Sequence, residues 1–189
     1  LELATLGARV LHNRSVEMAK KYNVIIEVLS SIENKPGTLV KEVSPMEKML
    51  IKGVAKDDNI ARISVIGLAD RPGVAYQLFS LLASRQINVD IILQSIGRDG
   101  TKDITFTVAL DHAEDTVEII DKHASSLGIT SIDWDDTTSK VSIVGAGMET
   151  NPGVAARMFE AFGDANINIH MISTSETKIS VLIDKDQSN

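Results

Sequence analysis

Cysteine is missing from this 189-residue chain, which excludes disulfides and thiolate metal sites and is compatible with a reducing, cytoplasmic setting. Aromatic residues make up only 4%, so any core must be aliphatic, and the stacking platforms of an RNA-binding sheet are absent. A formal charge of −7 argues against nucleic acid or an anionic membrane surface as partner. No apolar run is long enough to span a bilayer, and the start carries no signal-peptide pattern. There is no P-loop, and Gly145-Ala146-Gly147 opens like a dinucleotide fingerprint but has Thr150 where the third glycine belongs. His12, His112, His123 and His170 lack metal-ligand spacing, and His12 has no partner that would make it catalytic. No group of residues has the spacing of a catalytic centre.

What the chain does have is an internal repeat. Asp70-Arg71-Pro72-Gly73-Val74-Ala75 returns as Asn151-Pro152-Gly153-Val154-Ala155. From Pro72 against Pro152 to Ser95 against Ser175 the two copies align without a gap, with 9 identities in 24 positions. In each copy an apolar strand precedes the Pro-Gly, a helical pattern follows, and an Ile-Asn pair opens the next strand. Hydrophobic content of 43% supports two small cores.

In order, Leu1 to Lys21 reads as a helix, Val24 to Leu29 as a short strand and Ser30 to Lys48 as a connector. The chain starts without Met inside that helical pattern, which points to a piece of a longer soluble protein. Met49 to Ala55 is a strand, Lys56 to Asn59 a turn, and Ile60 to Gly67 a second strand. Asp70 suits an N-cap and Pro72 the first turn of a helix reaching about Arg85, with Val74, Leu78, Leu81 and Leu82 on its apolar face. Ile87 to Gln94 and Ile104 to Leu110 are strands joined by a turn at Gly97-Arg98-Asp99-Gly100. A helix from His112 to Leu127, stopped by Gly128, and a strand from Ile129 to Trp134 complete a βαββαβ, ferredoxin-like unit. The Asp133, Asp135, Asp136 cluster reads as a solvated turn.

The second copy, from about Lys140, stops after a strand at Ile179 to Ile183 and lacks a strand of its own. Met49 to Ala55 belongs to no other unit and is expected to supply it. The fold class is therefore α+β: two ferredoxin-like modules with helices on one face of antiparallel sheets, the first inserted within the second. The expected segments are 1–31 and the connector 32–48, then 60–137 for the first module, and 49–57 plus 138–189 for the second.

Strand alternation groups Asn88, Asp90, Ile92 and Gln94 on one face, expected level with the start of the preceding helix. In the second copy the matching set is Asn168, His170, Ile172 and Thr174. Helix N-termini favour anions. Backbone N–H groups at Gly73 to Ala75 or Gly153 to Ala155 suit an α-carboxylate, and Asp70 or Asp90 suits an ammonium group. The residues thus fit a free amino acid, although Asp-x-Pro-Gly is also an ordinary helix start.

The doubled Pro-Gly-Val-Ala with its Ile-Asn strand, together with Gln94-Ser95, Asp99 to Ile104 and Met171 to Ser180, resembles the paired ACT domains of aspartate kinases. Leu6 to His12 resembles the end of that family's kinase domain. The resemblance implies a regulatory region for an enzyme that phosphorylates L-aspartate with ATP, giving 4-phospho-L-aspartate on the way to lysine, threonine and methionine. ATP and a divalent metal would belong to a kinase domain outside this stretch, which itself implies no cofactor. An end-product amino acid, lysine or threonine or both, would bind at a homodimer interface as feedback inhibitor. Matched by position, the first-module contacts would be Asp70, Arg71, Pro72, Gly73, Val74, Ala75, Asn88, Val89, Asp90 and Gln94. The partner's second module would add Val154, Ala155, Asn168, Ile169, Ser175 and Glu176. The family's C-terminal helix has no counterpart after Asp184. The kinase domain would act in cis, or a catalytic subunit in trans. A free-standing amino-acid sensor and a purely structural dimerisation module are the rival classes.

Overall fold

A computed structural model describes residues 11–33, 35–41, 51–97, 100–145 and 153–188. These fall into two compact units. The first unit is drawn from Asp58–Lys140 with the segment from Leu182 onward; the second is drawn from the segments up to Asp57 and Val141–Val181.

The first unit holds β4 (Ala61–Ala69), α2 (Val74–Ser84), β5 (Val89–Ile96), β6 (Thr101–Val108), α3 (Ala113–Lys122), α4 (Ala124–Leu127) and β7 (Ser131–Asp135). Its sheet runs β5-β6-β4-β7 and every pairing is antiparallel. Val74, Leu78 and Leu82 recur at four-residue spacing along one stripe of α2 and are buried there. They meet Ile63, Val65, Ile104 and Phe106 of the central strands in one core, to which α3 adds Ile119 and Ile120. The helix expected from His112 to Leu127 is interrupted at His123, whose Nδ1 lies 2.8 Å from the Ile119 carbonyl. Gly128, at φ 74°, ends α4 in the left-handed conformation that glycine adopts without cost.

The second unit contains α1 (Asn13–Lys21), β1 (Ile26–Val28), β2 (Thr38–Val40) and β3 (Gly53–Asp57) from its early segments. It also holds α5 (Val154–Asp164) and β9 (Met171–Thr174), and its sheet is completed by β8 (Thr138–Val144) and β10 (Lys178–Asp184), whose residues are divided between the two units. The sheet order is β3-β8-β10-β9, so the strand that precedes the first unit in sequence forms an edge of the second sheet. That order gives the interlocked, tandem ferredoxin-like arrangement and closes an edge that would otherwise stay open.

Several boundaries differ from the sequence reading. The connector contains β2, which pairs antiparallel with β1. The residues expected as a turn at Lys56-Asp57 continue β3. The strand expected from Ile87 starts at Val89, and its counterpart starts at Met171 rather than at Ile167. Asp133 and Asp135 are not a free turn: they lie on β7 and pair with Arg62 at 3.5 and 3.6 Å. His12 accepts from the Arg14 N–H at 3.3 Å, the work of a helix cap. Residues 1–10, Met49 and Leu50, Arg98 and Asp99, and the Ala146 to Pro152 stretch lie outside the described residues.

Candidate functional site

Both copies of the repeat build the same helix start. Gly73 and Gly153 are the N-caps of α2 and α5, in the left-handed region at φ 87° and 93°. Neither has anything within 4 Å of where a Cβ would sit, so the space beside each cap is open. The expected N-cap role of Asp70 is therefore corrected. Glycine reverses the chain there, and the Asp70 carboxylate instead pairs with Lys102 Nζ at 3.0 Å. Arg71 donates to Gln77 Oε1 at 2.8 Å and to the Ser126 carbonyl at 3.4 Å, which ties the loop to its own helix. Past Pro72, Val74 turns into the core while Ala75 stays half-buried. The first-turn N–H groups around Ala75 and Tyr76 have no carbonyl one turn earlier in the helix. Such groups favour an anion.

The helix ends repeat as well. Gln86 and Asn166 adopt positive φ of 58° and 56°, and the next residue donates back to Leu82 and Phe162 at 3.0 and 2.9 Å. Each helix thus runs antiparallel to the strand that follows it, a geometry that decides which candidate residues meet.

Asn88, Val89 and Asp90 lie at the end of the sheet where Val89 pairs with Val108. The α2 start lies at the other end, where Ala69 pairs with Thr101. Along β6 the two levels are roughly 20 Å apart, at about 3.3 Å per residue. Asp90 is thus not level with the helix start, contrary to what strand alternation implies. Gln94, opposite Ile104, lies between the two levels and nearer the α2 end.

The shared polar face is corrected too. A register shift between Val89 and Ile92 places two residues, Asp90 and Ile91, opposite Thr107 alone. Ile92 and Gln94 consequently stand on the side of Phe106 and Ile104, and the period-two set breaks at Asp90. The Ile91 N–H is satisfied by the Thr107 hydroxyl at 3.1 Å. Asp90 Oδ2 accepts from Lys140 Nζ at 2.6 Å. Lys140 is a site neighbour that sequence pattern does not disclose. It sits 50 residues away in sequence.

In the second unit the candidates divide in the same way. Gly145 N–H donates to the Thr177 carbonyl at 2.9 Å, so the exposed turn bearing Ser175 and Glu176 lies beside the end of β8, and β9 finishes there, at the end where an antiparallel α5 begins. Asn168 and half-buried Ile169 precede β9 at the opposite end. Each module therefore carries two polar ends of opposite character, one built on a helix N-terminus and one on the strand start.

An apolar cavity of the second unit lies elsewhere. It encloses about 400 Å³ between β3, β8 and α5, with Val54, Ile143, Met158 and Phe162 among its walls. Its lining carries no candidate effector residue except Val154. Among the described residues no group of His, Asp or Glu could hold a metal ion, and no helix is long and apolar enough to cross a membrane.

Comparison with known proteins agrees with the repeat. Residues 61–127 and 141–189 each match a family model described as ACT domain. An aspartokinase from Mycolicibacterium smegmatis is 47% identical over 188 residues, covering 97% of this chain and 45% of the relative. Aspartokinase 2 of Bacillus subtilis is 44% identical over 98% of this chain and 46% of its own length. The chain thus spans about half the length of the curated relatives it matches. A solved structure of aspartokinase alpha and beta subunits is 48% identical with a TM-score of 0.67, covering 72% of this chain and 89% of that one. The regulatory subunit of aspartate kinase from Thermus thermophilus, in a ligand-free form, is 38% identical with a TM-score of 0.68 over 73% of this chain and 91% of that one. The aspartate kinase of Clostridium acetobutylicum, 23% identical with a TM-score of 0.82, shares the fold. With most of a regulatory subunit matched at such identity, the chain belongs to the aspartokinase family and spans the tandem ACT domains of its regulatory region.

Proposed function

We propose that this region senses an end-product amino acid, lysine or threonine, and passes its occupancy to an aspartate kinase as feedback inhibition. The kinase would transfer the ATP γ-phosphoryl group to the aspartate side-chain carboxylate in the cytoplasm. The observation that carries this reading is the split of the candidate residues into two ends roughly 20 Å apart in each module. One free amino acid is far too short to touch both ends of the same module. It can bridge the helix-start end of one module and the complementary end of another. The polarity suits a zwitterion, with helix N–H groups for the carboxylate and Asp90 or Asn168 for polar and ammonium groups.

A second copy of the chain is the natural source of the other end. Edge strand β5 exposes Ile92, Leu93 and Ile96, the last of them 92% exposed, and edge strand β9 exposes Ile172. Apolar edges of this kind are covered in working assemblies. A homodimer pairing the first module of one subunit with the second module of its partner covers both, and its symmetry makes each kind of site twice. The coupling to the kinase would be of ordinary allosteric size, about 1–3 kcal/mol. The kinase would lie in the same chain, as the longer aspartokinase relatives suggest, or in a separate catalytic subunit, as the Thermus regulatory subunit suggests.

A thermal-shift panel of the twenty amino acids tests the sensing role. A rise in melting temperature confined to one or two of them supports it, and no shift with any of them refutes it. Asp70→Ala is expected to weaken binding of the responsive amino acid by roughly tenfold, because the loss of one charge-assisted contact is partly screened at an exposed position. The fold should persist, since the Asp70 side chain is 47% exposed. Unchanged affinity by calorimetry would remove Asp70 from the site.

A further inference from the structure

We propose that Lys140 is the positioning residue for Asp90, fixing the orientation of that carboxylate toward a bound amino acid. The inference rests on the effector-binding role proposed above. Asp90 occupies a bulge, where the ladder loses its regular hydrogen bonds and a side chain gains rotational freedom. Its neighbour Ile91 is anchored, 4% exposed, with its N–H on the Thr107 hydroxyl. Among the described residues the carboxylate is held from one side only: Oδ2 lies 2.6 Å from Lys140 Nζ, and Oδ1 is the oxygen left for a ligand. The two partners differ sharply in exposure. The Lys140 side chain is 5% exposed and the Asp90 side chain 42%.

That asymmetry gives the pair a direction. The Lys140 ammonium group is buried and has a further interaction besides Asp90, so it stays in place when an incoming ammonium approaches the carboxylate. The ligand shares the carboxylate rather than displacing the lysine, and meets an acceptor that is already oriented. Orientation fixed before binding removes part of the entropy cost of association.

The repeat shows that the arrangement is specific to this position. Lys140 precedes Val141 as Arg62 precedes Ile63, so both copies place a cation at the matching position of the strand. Arg62 turns to Asp133 and Asp135 on β7, whereas Lys140 reaches β5. Lys140 is also the last residue of the first unit before the chain enters the second.

Titration calorimetry on the whole chain, with lysine and threonine as separate titrants, tests this. Lys140→Met is expected to weaken the amino acid that the wild type binds by about tenfold, and Lys140→Arg to stay within about threefold of wild type. The double variant Lys140→Met with Asp90→Asn should bind no more weakly than Asp90→Asn alone, because the lysine acts only through that carboxylate. Should Lys140→Met not fold, Lys140→Gln takes its place with the same expectations. Wild-type affinity in the lysine variant overturns the inference, as do losses that multiply in the double variant. If Asp90→Asn weakens binding but Lys140→Met does not, the effector site stands and only the positioning role falls. If the wild type binds neither titrant, both readings fall together.

Discussion

Phe106→Ala is expected to destabilise the first unit by about 3–5 kcal/mol, the usual range for emptying a buried aromatic site. Phe106 is fully buried on β6, the strand between β5 and β4. Its ring meets Phe79 of α2 edge to face, with centroids 5.5 Å apart. It also opposes Ile63 on β4 and Ile92 on β5, so truncation leaves a cavity bounded by paired strands that cannot collapse easily. Trp134, the single tryptophan, lies on β7 of the same unit and reports its unfolding by fluorescence. The urea midpoint should fall with little change in slope. A loss below about 1 kcal/mol would contradict the assignment of this core.

Gly67→Ala is expected to cost roughly 2–5 kcal/mol, combining about 1–2 for a left-handed alanine with about 1–3 for crowding. Gly67 sits at φ 76° in the register shift between Val65 and Leu68 of β4, and its N–H donates to Asp103 Oδ1 at 2.8 Å. A Cβ there would collide with the Thr130 hydroxyl and lie 2.8 Å from Thr130 Cβ. Thr130 cannot step aside, because its own N–H is bound to the Ile66 carbonyl at 2.8 Å. Thr130→Ala in the same chain should recover the part due to the hydroxyl and leave the contact with the residue 130 Cβ and the backbone strain. The same fluorescence-detected unfolding separates the two terms. A Gly67→Ala variant as stable as wild type would mean that the bulge does not need glycine.

These two sites mark the boundary of what the sequence reveals. Phe106 is legible, since it belongs to an apolar strand run that follows a turn signal. The bulge at Gly67 is not, because a glycine within a strand pattern fits a bulge, a bend or a close approach equally well. The bulge at Asp90 carries no glycine, so simple alternation runs through it and assigns Gln94 to the wrong face. Pro-Gly locates both helix starts, yet Asp70 looks like the cap because an acidic residue there has the statistics of one. The left-handed glycines override it by reversing the chain, and Lys102 then takes the carboxylate.

The missing strand of the second sheet follows from counting elements alone, and the order β3-β8-β10-β9 contains it. The opposite placement of Asp70 and Asp90 is also within reach of the sequence. A helix that returns antiparallel to its strands must start at the end where the following strand finishes. The Lys140 contact cannot be foreseen, since nothing in local pattern links residues so far apart in the chain.

If two subunits share each effector site, mixed dimers will reveal it. Asp70→Ala impairs the first-module half and Asn168→Ala the second-module half, so each variant alone should bind the amino acid weakly. On mixing in equal amounts with subunit exchange, half of the dimers become mixed, and each mixed dimer has one site with both halves intact. Calorimetry on the mixture should therefore recover wild-type affinity at about a quarter of the sites built from these two halves. A mixture that binds no better than its components, beside a wild type that binds, would place the whole site within one chain and contradict the account.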